Sequence, residues 1–269
     1  MRLSVYTYVR DGLYLDFHVL AMLRHHLPLA DEIVVAEGFS KDGTYEAITK
    51  LDPKIQVVRT EFGAIKDMGW FGRCKDVARV RCTGDWCIYL DADEFIPDWD
   101  FERLRATLAN STDDLLPFGF MNFYGNYRVY HPHPEKANWP QYKFMAHRNR
   151  PDVEFWGDGS NVRIPGQPQS VPERFDFWCH HYGFVRDAAR LREKWRAQNL
   201  MYRGKRGIPI PAFVYRLLPH EWNDPMYMSD LAIYPGPYIQ AVRNDPDEFT
   251  RDGMKTYRLL QERDASQQV

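Results

Sequence analysis

Over its first ninety residues the chain alternates short apolar runs with stretches of helical period, and no other feature constrains the fold as tightly. Leu3–Val9 (LSVYTYV) is β-branched and aromatic and stops at the turn cluster Arg10-Asp11-Gly12, as a strand would. From Gly12 to His26, Leu15, Val19, Met22 and Leu23 fall at helical spacing, and Pro28 ends the run. Glu32–Glu37 (EIVVAE) reads as a second strand, followed by a loop and a short helix carrying Tyr45 and Ile48. A third strand spans Ile55–Thr60, a helix with Phe71, Cys74 and Ala78 on one side spans Asp67–Cys82, and Gly84 stands where a C-cap would. A fourth strand, Trp86–Leu90, closes the series. Strand–helix alternation of this kind predicts an α/β fold: a mostly parallel sheet with helices on both faces, joined by right-handed crossovers. If the sheet reverses direction between the first and fourth strands, the loop after Val9 and the end of the fourth strand open into one crevice, where ligands bind in such sheets.

The fourth strand ends abruptly in Asp91-Ala92-Asp93-Glu94. Carboxylates inside a strand covered on both faces would be costly, so these belong at its mouth. Asp91 and Asp93 are two apart and project to the same side of an extended chain, a spacing of hard oxygen ligands that suits Mg²⁺ or Mn²⁺ with the rest of the shell left to waters and phosphates. A capped strand end followed by an acidic turn gives the same letters without a metal. Glu37, at the end of the second strand, would stand at the rim of the crevice, where an acid accepts hydrogen bonds from a ribose or a base. No G-x-G-x-x-G follows the first strand, which argues against a nicotinamide dehydrogenase.

Composition narrows the classes further. A net charge of −2 on 269 residues argues against a surface built wholly for nucleic acid. No apolar run reaches the roughly 18 residues of a membrane span and the N-terminus has no signal-peptide pattern, so the expectation is a soluble, cytoplasmic protein. Cys74, Cys82, Cys87 and Cys179 form neither a C-x-x-C pair nor a zinc spacing and are expected as reduced, buried thiols.

Several segments, in order, resemble the family 2-like glycosyltransferases of the GT-A fold. Ser4-Val5-Tyr6-Thr7-Tyr8-Val9-Arg10-Asp11 resembles their opening strand and nucleotide loop. Glu37-Gly38-Phe39-Ser40-Lys41-Asp42-Gly43-Thr44 is similar to their D-x-x-S-x-D-G-T segment, with Glu in first place. Gly72-Arg73-Cys74-Lys75 and Thr83-Gly84-Asp85-Trp86 resemble the basic helix and G-D turn that lead to the Asp-x-Asp strand, although Cys74 and Lys75 replace the more usual Arg-Asn pair. The resemblance covers about the first hundred residues and implies a metal-dependent transfer, with inversion, of a sugar from a nucleoside-diphosphate sugar, UDP-linked ahead of GDP-linked, to a carbohydrate or glycoconjugate acceptor. It implies Thr7, Val9, Arg10, Glu37, Asp91 and Ala92 around the donor, with Asp91 and Asp93 on Mn²⁺ or Mg²⁺. Arg73 and Lys75 would reach phosphates; a solvated helix face is the alternative.

Beyond Pro117 the composition shifts toward Tyr, His, Asn, Pro and Trp, and we divide the chain at 1–116, 117–204 and 205–269: a nucleotide-sugar half, an acceptor half and a C-terminal segment that wraps the surface with short helices, within one continuous domain. Phe118–Tyr124 and Tyr142–His147 are candidate strands, and Asn126–Pro140 reads as a long loop over the crevice with His131, His133 and Trp139 near an acceptor. Asp158 lies between Gly157 and Gly159 beside Trp156, in a loop a substrate can approach closely, and is the first candidate for the base, with Glu154 second. Relatives resemble G-x-x-H-E here, whereas this chain has Ser160-Asn161 in the His-Glu places. His180-His181-Tyr182-Gly183-Phe184-Val185-Arg186-Asp187 resembles the late H-x-G-x-x-R-D segment, in which His completes the metal shell, and the distance to Gly183 favours His181 over His180. Asp187 would cap a helix with Ala188, Leu191 and Trp195 inward and Lys194, a candidate substrate contact, on another face with Arg190. Two rivals remain at this level: a nucleotidyltransferase, which would want a Gly-rich basic loop after the first strand, and a non-catalytic carbohydrate-binding module, which would need neither the acids nor the histidine.

Overall fold

The structure is a computed structural model that describes residues 1–63, 67, 69–133, 141–186, 189–191, 193–194, 231–239, 241 and 251–266. Its first half follows the alternation: β1 (Leu3–Val9), α1 (Val19–His26), β2 (Glu32–Glu37), α2 (Thr44–Thr49), β3 (Ile55–Arg59), α3 (Trp70–Arg79) and β4 (Trp86–Tyr89). β1 pairs in parallel with β2 on one side and β4 on the other, and β2 with β3, so the order β3-β2-β1-β4 puts the reversal between β1 and β4. The four residues of β4 are fully buried, which is why an unbroken apolar run was needed there. α3 packs on β1 and β2.

Past β4 the sheet continues with antiparallel strands. β8 (Tyr142–Arg148) pairs with β4, β6 (Leu115–Tyr124) with β8, β7 (Asn126–Tyr130) with β6, and β12 (Ala232–Ile233) with β7. β11 (Trp178–Phe184) lies parallel to β6 and antiparallel to the two-residue β5 (Glu94–Phe95) that follows the acids. α4 (Phe101–Asn110) links β5 to β6, and β9 (Glu154–Trp156) with β10 (Asn161–Arg163) forms a separate hairpin. The final helix, α5 (Arg251–Ser266), packs on β7 and β12, with Leu260 against Tyr124, Val129 and Leu231 in a small second core.

Three expectations are corrected. The first helix starts at Val19, because Asp11 and Asp16 adopt φ of 52° and 54° and turn residues 11–17 into an irregular loop. The α3 helix stops at Arg79; Gly84 serves the turn before β4, where a Cβ would sit 2.6 Å from Ser4 Oγ. The expected long loop begins as strand β7, whose Tyr127 and Val129 are buried. Residues 134–140, with Trp139, lie outside the described residues, as do Asp187, Ala188, Trp195 and most of 205–269. The four cysteines are unpaired and buried. Among the described residues no helix is long and apolar enough to cross a membrane.

Candidate active site

The mouth of β4 gathers charge. Asp91 keeps 26% of its side chain exposed, with Oδ1 2.8 Å from Lys75 Nζ and Oδ2 3.8 Å from Lys143 Nζ. Asp93 is buried, and its Oδ2 accepts hydrogen bonds from Arg186 (2.7 Å) and Lys194 (3.2 Å). Burial alone would raise both carboxyl pKa values, but Lys75 and Lys143 hold Asp91 below the usual range, and Lys194 and Arg186 do the same for Asp93. Lys194 lies in the helical residues after β11, and burial lowers its ammonium to about 8 against the pull of Asp93.

β11 supplies the histidine. Alternation along the strand sends His181 toward Asp93 and His180 to the opposite side, among Phe123, Trp99 and Tyr234. His181 Nδ1 meets Asn122 Oδ1 at 2.7 Å, which makes Nδ1 the protonated nitrogen and leaves the Nε2 lone pair facing Asp93 Oδ1 at 3.7 Å. Burial holds the ring at a pKa of about 3, so it is neutral. A Cβ on Gly183 would fall 2.2 Å from Nε2 and 3.0 Å from Asp93 Oδ2, so glycine there keeps the space between them open.

That donor set fits a divalent cation of the Mn²⁺ kind. It offers a carboxylate oxygen and an imidazole nitrogen across a cradle with no side chain, beside Asp91, whose Oδ1 the Lys75 ammonium meets at 2.8 Å. Among the described residues no three His, Cys, Asp or Glu converge on one point, so the protein provides an incomplete shell, as sites that also take phosphate oxygens and water do.

The hairpin β9–β10 is pressed onto α3. A Cβ on Gly159 would lie 2.6 Å from Gly72 N, and one on Gly72 2.7 Å from Phe155 Cβ. Lys75 Nζ donates to Gly159 O (2.7 Å), Tyr89 OH to Ser160 O, and Asn161 Oδ1 accepts the Phe144 N–H (2.9 Å). The turn carrying Asp158 therefore sits beside Asp91, and Asp158 Oδ1 accepts the Ser160 N–H at 3.2 Å. Trp156 is 47% exposed; Glu154, also exposed, is bound by Arg163 at 2.9 and 3.1 Å at the open end of the hairpin.

Several expected donor contacts have other partners. Glu37 is fully buried, with Oε1 accepting the Ser40 N–H (2.6 Å) and Oε2 the Arg59 Nε–H (2.9 Å); it braces the loop instead of facing the crevice. Thr7 and Val9 are buried, and Val9 O is taken by the Gly38 N–H. Arg10 donates to Gly63 O and stacks near Trp70. Arg73 makes a two-pronged pair with Asp67, 2.9 Å each, and Lys75 is buried against Asp91 under the rings of Tyr8, Tyr89 and Phe155. Ala92 is buried, and so is His131. Sequence reasoning missed Lys143, Glu94, Arg186 and Asn122. Lys143 had a signal, a cation directly before the apolar run Phe144-Met145-Ala146 of β8.

An α/β sheet with a reversal beside β1, acids at the mouth of β4 and a histidine on a neighbouring strand defines a ligand-binding sheet of the nucleotide-handling kind. The family model for glycosyl transferase family 2 matches residues 7–162, and the chain belongs to that family. The matched family is neither that of a nucleotidyltransferase nor that of a carbohydrate-binding module. No curated protein matches the sequence. Among solved structures, Staphylococcus aureus TarS 1-349 in complex with UDP is similar at 20% identity over 46% of this chain and 37% of that one, with a TM-score of 0.38. A further crystal structure of TarS 1-349 aligns at 13% identity over 80% of this chain and 68% of that one, with a TM-score of 0.45. Mannosyltransferase PcManGT from Pyrobaculum calidifontis in complex with GDP-Man and Mn²⁺ aligns at 20% identity over 44% and 34%, with a TM-score of 0.34. The chain thus spans a little over a third of the TarS 1-349 chain in its UDP complex.

Proposed function

We propose that the chain transfers a sugar from a nucleoside-diphosphate sugar to an acceptor hydroxyl, with a divalent cation and with inversion at the anomeric carbon. The observation that carries this reading is the His181 Nε2–Asp93 Oδ1 pair, 3.7 Å apart over the space that Gly183 leaves open. Asp93 and His181, with Asp91 beside them, would hold the cation once donor oxygens and water complete the shell, and when bound it supplies Lewis-acid stabilisation of the departing diphosphate. Lys75, Lys143, Arg186 and Lys194 neutralise the acids before any ligand arrives, and Lys194, on a flexible stem, can turn from Asp93 toward a phosphate oxygen. In a single displacement the acceptor oxygen bonds to the anomeric carbon as the bond to the diphosphate breaks on the other face. The acceptor proton goes to Asp158, whose carboxylate the Ser160 N–H orients. Glu154, held by Arg163, stands second.

Some of the structural neighbours carry UDP, UDP-GlcNAc or GDP-Man, two of them with Mn²⁺, and uridine- and guanosine-diphosphate sugars form the natural panel. The test is release of nucleoside diphosphate from UDP-GlcNAc, UDP-glucose and GDP-mannose, with Mn²⁺, with Mg²⁺ and with a chelator. Release from one donor that collapses on chelation is expected. Full turnover in chelator would remove the cation from the reading, and a product that keeps the donor's anomeric configuration would remove the single displacement.

A further inference from the structure

Beneath the two acids lies a buried ion pair, Glu94–Lys143, whose Glu94 none of the steps above employs. Glu94 is fully exposed to neither solvent nor crevice, at 0% accessibility, and Lys143 is 5% exposed, so neither group meets a substrate directly. Both are nonetheless committed to the acid turn. Glu94 N–H donates to Asp91 O (3.0 Å) while Asp91 N–H donates to Glu94 Oε2 (2.9 Å), a reciprocal clasp that closes the four residues bearing Asp91 and Asp93. Lys143 Nζ donates to the other oxygen, Glu94 Oε1, and lies 3.8 Å from Asp91 Oδ2.

The same pair reaches the histidine by two routes. Glu94 is the strand partner of His181 across β5 and β11, and the Lys143 ammonium sits 4.2 Å from the center of the Phe120 ring, which packs 5.2 Å from the ring of His181. Stability gives no reason for a charged pair here, because well-packed apolar residues of similar volume commonly replace a buried ion pair without loss. An apolar pair would fill the space but would leave the Asp91 N–H without its acceptor and the turn free to choose another shape.

We propose that Glu94 and Lys143 are positioning residues: the pair sets the shape of the 91–94 turn and its register against His181, and so fixes where Asp91 and Asp93 present their oxygens. The inference rests on the reading that those acids serve the donor.

The test compares Glu94→Gln, Glu94→Met, Lys143→Met and the double variant Glu94→Met/Lys143→Met by thermal unfolding and by nucleoside-diphosphate release from UDP-GlcNAc and UDP-glucose with Mn²⁺. Each single variant strands one buried charge or weakens its partner, so both melting temperature and turnover fall. The double variant removes both charges and is expected to recover melting temperature. Its kcat stays down by roughly 10- to 100-fold, the scale for losing an outer partner of a metal site, while donor KM changes little. A merely structural pair behaves differently: the double variant regains kcat along with stability, and that result overturns the proposal. If the double variant does not fold, Glu94→Gln against Glu94→Met decides, since both strand Lys143 and only the amide oxygen still accepts the Asp91 N–H: a kcat at least about tenfold higher in Glu94→Gln supports the proposal, and equal kcat values overturn it. Absence of release by the wild-type chain overturns the donor reading and this inference together, whereas an active wild type with fully active variants overturns this inference alone.

Discussion

The loop after β2 and the turn after β4 are both strings of polar residues at the end of a buried strand, yet they treat their carboxylates in opposite ways. In the first, backbone amides and loop hydroxyls consume them. Glu37 takes the Ser40 N–H and Arg59; Asp42 takes the Tyr14 and Thr44 N–H groups; Ser40 and Thr44 hydroxyls accept from the Asp11 and Leu13 N–H groups; and Gly43 turns the chain at φ 87°. In the second, the carboxylates of Asp91 and Asp93 meet cations on long stems, Lys75, Lys143, Arg186 and Lys194. Backbone amides fix a loop and cannot be handed to a ligand, whereas an ammonium can exchange one anion for another. One strand end therefore builds the crevice and the other presents charge to it.

The largest expected effect comes from removing that presented charge. Asp93→Asn should abolish donor cleavage, since a charge-assisted contact worth several kcal/mol in the transition state is lost. It should also destabilise the fold by about 3–5 kcal/mol, because buried Arg186 and Lys194 lose their anion. The sequence placed Asp93 at the mouth of its strand; its burial beside Arg186 and Lys194 is what adds the cost in stability. Unfolding by denaturant beside an activity assay separates the two effects. An unchanged unfolding midpoint would mean that the cations do not depend on Asp93.

Next in size is Asp158→Asn. Asparagine still accepts the Ser160 N–H, so the hairpin should keep its shape and melting temperature. Transfer to an acceptor should fall by roughly two to four powers of ten, the scale for a general base, with donor KM nearly constant. Wild-type transfer in this variant, together with loss in Glu154→Gln, would move the base to Glu154.

What was legible beforehand follows the same division. Buried strands announce themselves as apolar runs, and acids that interrupt such a run mark its mouth, so β1 to β4 and Asp91/Asp93 were readable. Countercharges were not, because they arrive from strands and helices far along the chain: Lys143 from β8, Arg186 and Lys194 from beyond β11. Helical period could place Lys75 on α3 but not say which face turns inward. The close contact of Gly72 with Phe155, one turn before Lys75, decides that in the structure. β7 was hidden because Asn126, Arg128 and the Tyr residues dilute a real alternation with turn-like letters.

A smaller effect is expected at the braced loop. Glu37→Gln gives up the charge that Arg59 pairs with but keeps an oxygen for the Ser40 N–H, so stability should drop by about 1–3 kcal/mol. Donor KM should rise only as far as the loop loosens, and kcat should hold. A rise in KM of tenfold or more (about 1.4 kcal/mol) at unchanged stability would show that Glu37 meets the nucleoside after all and that the loop also presents charge.

The smallest effect belongs to Arg73, and it sharpens the contrast on a single helix. Three residues of α3 carry two cations of opposite circumstance: Lys75 is 2% exposed and bound to Asp91, while Arg73 is 60% exposed and clamped by both oxygens of Asp67. A solvated pair of this kind contributes little to stability and is screened by salt. Arg73→Met should therefore leave the melting temperature unchanged within error and shift donor KM slightly, and the shift should vanish at high salt. Lys75→Met, by contrast, strips Asp91 of its nearest cation and Gly159 of its donor, and should depress stability and turnover together. If Arg73→Met instead raises donor KM tenfold or more at physiological salt, its guanidinium must leave Asp67 to grip the diphosphate, and the charge presented to the donor extends from the β4 turn onto the outer face of α3.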